Sequence, residues 1–242
     1  MRIIFFDTET TGNTPRDFLC QLAVKERAVK EPIVNAMYKP CIAIPFEASM
    51  VHHISNKMVA DKPCFKDSSE YKDIKAVFED ENTVCVAHNA AFDIQILKND
   101  DIQTKNYICT FKVIRAIDGE GKYTNHKLQF LRYAMDMELD VPAHDAYADV
   151  LVLEQLFEYE LKEIMEKQQK TEEEALQYMI EISQQPLVIR NFDFGKYKGK
   201  SVTEVASIDP GYLSWLLDQK RQNNADNKEE EWIYTLEKAL GQ

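Results

Sequence analysis

The feature that most constrains the fold is a short apolar run near the N-terminus that ends in two closely spaced acids. Residues 2–6 read RIIFF, and a continuous apolar run of this length is typical of a strand that is buried on both faces of a sheet. Asp7 and Glu9 follow at once. The sequence therefore predicts a central strand whose C-terminal end carries negative charge.

The spacing of these two acids predicts that their side chains point the same way. Side chains alternate between the two faces of a strand, so residues i and i+2 share a face. If residues 3–8 form a strand, the carboxylates of Asp7 and Glu9 leave one face of the sheet close together. Two like charges that close repel, and each carboxylate favours its protonated form unless a positive charge lies between them. The pair therefore indicates a bound cation.

The order of the remaining elements indicates the fold class. Two further strands are predicted at 18–29 and 33–39, which suggests an antiparallel meander. The pattern then changes to helices alternating with strands: a helix at 68–80, a strand at 83–88, a helix at 90–100, a strand at 106–110, a helix at 127–137 and a long amphipathic helix at 145–169. This order predicts an α/β fold in which helices flank a mixed sheet.

The length of 242 residues suits one large domain with a small appendage. A charged helical stretch ends at Pro186, and an aromatic-rich segment with an Asp-Pro-Gly break at 209–211 follows it. We therefore expect a large domain at 1–168, a helical linker at 169–186 and a small C-terminal domain at 187–242.

The composition limits the possible classes of protein. The content of 45% hydrophobic residues, with 7 Gly and 8 Pro, is typical of a globular protein with a real core. No apolar stretch approaches the roughly 20 residues of a membrane span, and Asp7 interrupts the N-terminal run, so we expect no membrane segment and no signal peptide. Five widely spaced cysteines without a C-x-x-C pair predict reduced thiols in a cytoplasmic protein.

The net charge of −12 does not by itself indicate a nucleic-acid partner. Residues 1–185 carry a net charge of −11 and residues 186–242 a net charge of −1. Part of the acidity would be neutralised if a cluster of carboxylates bound divalent metal ions.

Two later segments add candidates for such a cluster. The segment HNAAFD places Asp93 just inside a helix that follows the predicted strand at 83–88, and α/β sheets usually carry functional groups at this end of a strand. The segment HDAYAD supplies His144 and Asp149 at the start of the long helix.

These residues predict metal-assisted hydrolysis. Four carboxylates suit Mg²⁺ or Mn²⁺ rather than zinc, and two such ions about 4 Å apart would hold the attacking and leaving oxygens of a phosphodiester. The unperturbed pKa of a histidine is near 6.5, so His144 would be able to accept a proton from the attacking water. The four acids are Asp7, Glu9, Asp93 and Asp149.

The segments FDTETTG, HNAAFD and HDAYAD, in this order, resemble the three signature motifs of the DEDD-type 3′→5′ exonucleases in their histidine-bearing branch. That branch includes the proofreading subunit of bacterial replicative polymerases. The resemblance covers roughly residues 1–165 and implies a ribonuclease-H-like fold. It also implies that the four acids hold two metal ions and that His144 is the general base.

The resemblance further implies a set of residues that contact the substrate. Thr10 is expected to hold the terminal nucleotide, and VHHIS at 51–55 is similar to the His-Gly-Ile-Thr segment of the family, in which the Ile stacks on the terminal base. That role falls on Ile54, whereas His53 replaces the usual glycine and Ser55 the threonine. Asn89 and Phe92 match positions that line the substrate groove. Phe92 and Ile54 are also acceptable as plain core residues.

The segments ICTFKVIRAI and NHKLQFL, and the C-terminal piece around FGKYKGK, resemble more closely one group of this family, exodeoxyribonuclease X. In FGKYKGK the lysines are two residues apart. If the segment is extended they share one face and would be able to follow a phosphate backbone, with an aromatic ring for stacking. The alternative is a Gly-bounded hairpin with solvated lysines. The candidate contacts are Lys196, Tyr197, Lys198 and Lys200.

The combined prediction is a Mg²⁺-dependent exonuclease that releases nucleoside 5′-monophosphates from 3′ ends of DNA, with single-stranded DNA as the expected partner and DNA repair or proofreading as the expected process. Mn²⁺ is expected to replace Mg²⁺. One alternative is the same chemistry on short RNA. Another is a binding subunit that docks a polymerase or a repair protein. Both alternatives stay open at the level of the sequence.

Overall fold

The computed structural model describes residues 1–119, 121–137, 139, 145–224 and 229–242. Its contacts divide the chain into two compact units, Met1–Ser183 and Gln184–Gln242. Among the described residues, no helix is both long enough and apolar enough to cross a membrane.

A five-stranded mixed sheet forms the centre of the first unit. The strand order is β3-β2-β1-β4-β5, in which β1 pairs antiparallel with β2 and parallel with β4. This arrangement confirms the predicted α/β fold with an antiparallel start. The strands are β1 (Arg2–Thr10), β2 (Leu19–Glu26), β3 (Pro32–Met37), β4 (Thr83–Ala87) and β5 (Asn106–Cys109).

Seven helices belong to the first unit as described. They are α1 (Phe46–His52), α2 (Tyr71–Glu79), α3 (Ala91–Asn99), α4 (Thr110–Ile117), α5 (Leu128–Ala134), α6 (Ala146–Gln168) and α7 (Glu172–Gln184), the last of which ends one residue beyond the unit. The sequence did not predict α1 or α4. Both are short, and neither begins with a side-chain cap, so the usual signals of a helix start are missing.

The strand β1 is buried on both faces, as its apolar run predicts. Phe5 packs against Phe157 of α6 with ring centroids 5.3 Å apart, whereas Phe6 packs against Phe78 of α2 at 5.0 Å. Burial of an aromatic side chain of this kind contributes about 1.5–3 kcal/mol. Because residues alternate along the strand, the face that contains Phe5 also carries the acids that follow it.

Charged side chains fix α6 along β2. Nζ of Lys25 lies 2.6 Å from a carboxylate oxygen of Glu154, and Nε of Arg27 lies 2.6 Å from Glu158. The side chain of Lys25 is only 6% exposed, and a buried pair of this kind is strongly disrupted when one partner is removed. The two pairs therefore set the position of α6 along the sheet.

The segment predicted as a linker contains α7. Ala175, Met179 and Ile180 of α7 are buried in the core of the first unit. Oγ of Ser183 accepts a hydrogen bond of 2.7 Å from the backbone N–H of Cys109, the last residue of β5. By its contacts, the first unit therefore extends through Ser183, beyond the expected boundary at 168.

In the second unit, the described residues form three α-helices around a small apolar core. They are α8 (Val202–Ile208), α9 (Pro210–Gln222) and α10 (Glu230–Leu240). The Asp-Pro-Gly sequence separates α8 from α9, because the side chain of Asp209 caps α9 by accepting from the N–H of Tyr212 at 3.1 Å. Trp232 of α10 stacks on Phe192 at 5.2 Å.

A buried acid in α6 contributes to the pH dependence of stability. Glu160 is fully buried, and neither of its carboxylate oxygens meets the geometry of a hydrogen bond with a described residue. Burial raises the pKa of Glu160 well above its usual range, the Cys109 thiol adds to this increase, and the backbone of Ile114 offsets only part of it. Folding therefore favours the neutral acid.

We expect Glu160→Gln to stabilise the first unit at about pH 8. A raised pKa in the folded state means that the stability due to Glu160 is complete below its unfolded pKa of about 4.3 and decreases as the pH rises. The gain should be about 1–3 kcal/mol, which is typical of an unsatisfied buried polar group, and should vanish near pH 4. Urea unfolding at several pH values measures it. The exposed Glu173→Gln is the control, and equal unfolding of variant and wild type at pH 8 would contradict the prediction.

Candidate active site

Two carboxylates extend from one face of β1 near its C-terminal end. Asp7 and Glu9 alternate with the buried Thr8 and follow Phe5 on the face covered by α6. The pairing of β1 with β2 shifts between Glu9 and Thr10, so a β-bulge lies beside the second acid. Bulges occur next to active sites, where they redirect side chains.

A third carboxylate comes from the first turn of α6. Asp145 caps this helix, and its side chain accepts a hydrogen bond of 3.1 Å from the backbone N–H of Ala148. Asp149 follows in the same turn and is 8% exposed. One ligand oxygen each of Asp7, Glu9 and Asp149 lies within 4.8 Å of the other two. Acids from a strand and a distant helix therefore form one cluster.

Asp93 lies beside this cluster, in the first turn of α3. Its Oδ1 accepts two hydrogen bonds from Thr8, one from Oγ1 at 2.6 Å and one from the backbone N–H at 3.2 Å. Asp93 is near enough to Asp7 that its charge is the leading acidic contribution to the pKa of Asp7. It does not belong to the group of three whose oxygens meet within 4.8 Å. The sequence did not predict the role of Thr8.

Burial and mutual repulsion both disfavour negative charge at this site. Burial raises the pKa of Asp7 well above its usual range, and the charges of Asp93, Asp149, Glu9 and Asp145 raise it further. Burial also raises the pKa of Glu9 to about 8, with added repulsion from Asp149, Asp93 and Asp145. Asp145 is a fifth acid near the site that the sequence did not single out.

The donor set fits a divalent cation. Every donor in the cluster is a carboxylate oxygen, which is the hard ligand that Mg²⁺ and Mn²⁺ prefer. Among the described residues, no Lys or Arg forms an ion pair with Asp7, Glu9 or Asp93. Buried acids at this separation are stable in their ionised form only with a positive charge between them. A bound metal ion would supply it.

A cleft of about 420 Å³ opens beside Glu9. Its walls are Thr10 at the end of β1, the loop that follows, and the helix α1, including Val51 and His52. Thr10, predicted to hold the terminal nucleotide, is therefore beside the acids. A cleft of this size is in the usual range for small-molecule sites.

The segment at 51–55 is held by a buried histidine. Nε2 of His52 lies 3.2 Å from the carbonyl oxygen of Thr10, and Nδ1 accepts a bond of 3.0 Å from the N–H of Ile54. His53, at the usual glycine position, has a φ of 63°, so this chain keeps the left-handed turn without a glycine. Ile54 is only 2% exposed and packs with Ile44 and other apolar residues.

The other predicted substrate contacts differ in exposure. Asn89 is exposed and has a φ of 63°, whereas Phe92 is half-buried and packs against the core on the α2 and α3 side. His144, the predicted general base, lies outside the described residues. Asn89 lies between β4 and α3, and Phe92 precedes Asp93 in the first turn of α3.

The C-terminal lysines do not form an extended face. Residues 195–197 form a 3₁₀ turn, and Gly195 and Gly199 have positive φ angles that favour such turns. Nζ of Lys196 pairs with Asp209 at 2.9 Å, and Lys200 pairs with Glu204. Of the two alternatives that the sequence left open, the turn bounded by glycines agrees with this geometry and the extended segment does not. Tyr197 is half-buried and donates to Asp209, whereas Lys198 is exposed.

Comparison with known proteins adds independent findings. The family model described as Exonuclease (RNase_T) matches residues 4–157, and the model described as Exodeoxyribonuclease X-like C-terminal matches residues 192–221. The chain is 33% identical to exodeoxyribonuclease 10 of Escherichia coli (strain K12), over 99% of this chain and 98% of that protein. It is 30% identical to DNA polymerase III subunit epsilon of Treponema pallidum (strain Nichols), over 63% of this chain and 73% of that protein.

Solved structures share the fold. A structure of exonuclease X in complex with 5′ overhanging duplex DNA matches with a TM-score of 0.56 and 24% identity, over 75% of this chain and 99% of that chain. A structure of exonuclease I matches with a TM-score of 0.57 and 19% identity, over 73% of this chain and 42% of that chain. These matches support the ribonuclease-H-like architecture.

Asp7→Asn should raise the unfolding temperature of the metal-free protein at about pH 8. The raised pKa of Asp7 means that its ionisation destabilises the folded state progressively as the pH rises above the unfolded value of about 3.9. The substitution removes one repelling charge, and each kcal/mol corresponds to about 2–4 °C for a domain of this size.

Calorimetry in EDTA at about pH 4 and pH 8 measures this effect, with the exposed Asp61→Asn as the control. The difference between variant and wild type should disappear near pH 4. Addition of Mg²⁺ should stabilise the wild type more than the variant, because binding to the folded state adds stability. A variant that unfolds below the wild type in EDTA at pH 8 would contradict the repulsion described for this cluster.

Proposed function

The chain belongs to the exonuclease family, and from this we propose that it is a divalent-metal-dependent 3′→5′ exodeoxyribonuclease that releases nucleoside 5′-monophosphates. The observation that carries the proposal is the meeting of Asp7, Glu9 and Asp149 oxygens within 4.8 Å at the end of β1. The full-length similarity to a bacterial exodeoxyribonuclease supports DNA as the substrate.

We assign metal binding to Asp7, Glu9, Asp149 and Asp93, with two Mg²⁺ ions as the expected complement. Bound divalent ions would lower the pKa of the attacking water and neutralise charge that develops on the scissile phosphate. The protein contributes the fixed arrangement of acids. Two hydrogen bonds from Thr8 to one oxygen of Asp93 fix the orientation of that carboxylate.

The chain's own groups would move the proton and position the substrate. In this proposal, His144 accepts the proton of the attacking water, which is a role that suits the usual pKa of histidine. The terminal nucleotide occupies the cleft beside Glu9, where Thr10 and α1 form the walls. Asn89 is exposed at the end of β4 and would contact the phosphate or sugar.

The context of the reaction is also part of the proposal. Similarity to DNA polymerase III epsilon subunits favours a second candidate, in which the chain proofreads in association with a polymerase. The match of residues 192–221 to an exodeoxyribonuclease X-like C-terminal model favours a nuclease that acts in DNA repair. Five free cysteines fit action in the reducing cytoplasm. The test below compares DNA with RNA and therefore also detects an activity on short RNA.

The first test uses single-stranded DNA and RNA of one sequence, labelled at the 5′ end and incubated with the full-length protein and Mg²⁺. We expect DNA to shorten one nucleotide at a time, and EDTA or Asp149→Ala to abolish the reaction. Loss of a metal-binding carboxylate removes transition-state stabilisation, and the rate should fall by at least about 10³-fold.

Thermal unfolding of Asp149→Ala establishes that the variant is folded. Shortening of RNA but not DNA would establish the ribonuclease alternative. Cleavage by the folded Asp149→Ala variant at the wild-type rate would contradict the assignment. No cleavage of either polymer with Mg²⁺ or Mn²⁺ would favour the polymerase-associated binding subunit.

His144→Ala tests the general base separately. The rate should fall by about 10²–10⁴-fold, because that is the usual contribution of a positioned base, whereas Mn²⁺ binding should be nearly unchanged. Single-turnover cleavage and Mn²⁺ titration measure the two effects. A wild-type rate would remove His144 from the role of base.

A further inference from the structure

The first turn of α6, which carries Asp149, is held on two sides by glutamine side chains. Nε2 of Gln129, from α5, donates a hydrogen bond of 2.5 Å to Oδ1 of Asp149. Nε2 of Gln21, from β2, donates at 3.1 Å to Oδ2 of Asp145, the cap of the same helix. We propose that Gln129 and Gln21 are positioning residues that hold the Asp149 carboxylate in the metal-binding cluster. This inference rests on the proposed function.

The amide of Gln129 is oriented by a buried arginine. Nη1 of Arg132 donates to Oε1 of Gln129 at 3.4 Å, and Nη2 of Arg132 donates to the carbonyl oxygen of Leu139. Arg132 is only 7% exposed. Because a guanidinium only donates, it selects the amide orientation in which the oxygen faces Arg132 and the NH₂ group faces Asp149. The opposite orientation would place two acceptor oxygens against each other.

The donor that holds Asp149 carries no charge. Oδ1 of Asp149 accepts from the neutral amide of Gln129, whose nitrogen can only donate. The other groups near Asp149 include the acids Asp7, Glu9 and Asp145, whose charges repel it. A neutral amide donor therefore holds Asp149 in a position that the neighbouring charges oppose.

Gln21 connects the same helix to the strand that carries the other ligands. It is the direct cross-strand partner of Glu9 in the pairing of β1 with β2 and is 3% exposed. Its Nε2 also donates to Oδ1 of Asn35 at 3.1 Å, and its Oε1 accepts from the N–H of Ala146 at 3.4 Å. The start of α6 is thus tied to the sheet at the position of Glu9.

Positioning predicts a change in metal affinity more than in substrate affinity. Partners of metal ligands typically affect metal affinity or activity by 10–100-fold. We expect Gln129→Met, which keeps the length of the side chain and removes the donor, to weaken Mn²⁺ binding about 10-fold. Gln129→Ala should have at least the same effect, and Gln21→Ala should weaken binding in the same direction.

The experiment measures Mn²⁺ binding to the full-length protein without DNA, from the electron paramagnetic resonance signal of free Mn²⁺. The matched control is Gln177→Ala, because Gln177 donates to a carboxylate oxygen of Glu181 at 3.2 Å on α7, remote in sequence from the acids. The control should bind Mn²⁺ like the wild type. Thermal unfolding of each variant in EDTA should remain within a few degrees of the wild type.

Cleavage of single-stranded DNA is then measured against Mn²⁺ concentration. The Gln129→Met variant should need about 10-fold more Mn²⁺ for half-maximal activity and should keep the wild-type KM for DNA at saturating metal. Wild-type Mn²⁺ affinity in a folded Gln129→Met would overturn the inference while leaving the proposed function intact. A wild type that binds Mn²⁺ but cleaves no DNA would overturn the proposed function, and the affinities of the variants would still decide the positioning role. A wild type that binds no Mn²⁺ would overturn both.

Discussion

Repulsion among partly buried carboxylates at the C-terminal end of β1 is the constraint that the surrounding contacts of the first unit must oppose. Asp7, Glu9 and Asp149 lie within 4.8 Å of one another in a setting that raises the pKa of Asp7 and Glu9. Such a cluster persists only because the surrounding structure fixes it. The buried Lys25–Glu154 pair holds the middle of α6 against β2, and Thr8 holds the adjacent Asp93. These contacts stabilise the fold and so keep the carboxylates of the cluster close together despite their repulsion.

The sequence predicted those parts of the site that depend on local order. The apolar run of β1 and the i, i+2 spacing of Asp7 and Glu9 are local features of the sequence. The order of the three motifs added Asp93 and Asp149 as candidate metal ligands. Contacts of ordinary polar residues were not predictable. The Thr8–Asp93 bonds join residues 85 positions apart, and a threonine or a glutamine carries no periodic signal that would indicate its partner. The bulge after Glu9 also depends on pairing with β2.

Short elements and glycine-containing turns account for the differences in the fold. The helices α1 and α4 have seven and eight residues, too few for a periodic pattern to be distinguished from a strand or loop. In the segment around Lys196, the lysine spacing of two left both an extended chain and a turn open, and Gly195 and Gly199 adopt the positive φ angles of a turn. The spacing of the lysines alone therefore does not determine the backbone conformation of this segment. The antiparallel start and the mixed character of the sheet, in contrast, followed from the succession of elements.

The position of α7 has a consequence for how the chain divides into autonomous parts. The match to the exonuclease family model ends at residue 157. Beyond it, α7 supplies apolar side chains to the core of the first unit. Oγ of Ser183 also accepts a hydrogen bond from the N–H of Cys109 in the edge strand β5. A fragment cut at 168 would expose the apolar surface that α7 covers and leave the N–H of Cys109 without the Ser183 acceptor, and an exposed apolar surface promotes aggregation. A piece that keeps this apolar core whole therefore extends through residue 183. The family-model match alone would place this limit earlier, within α6.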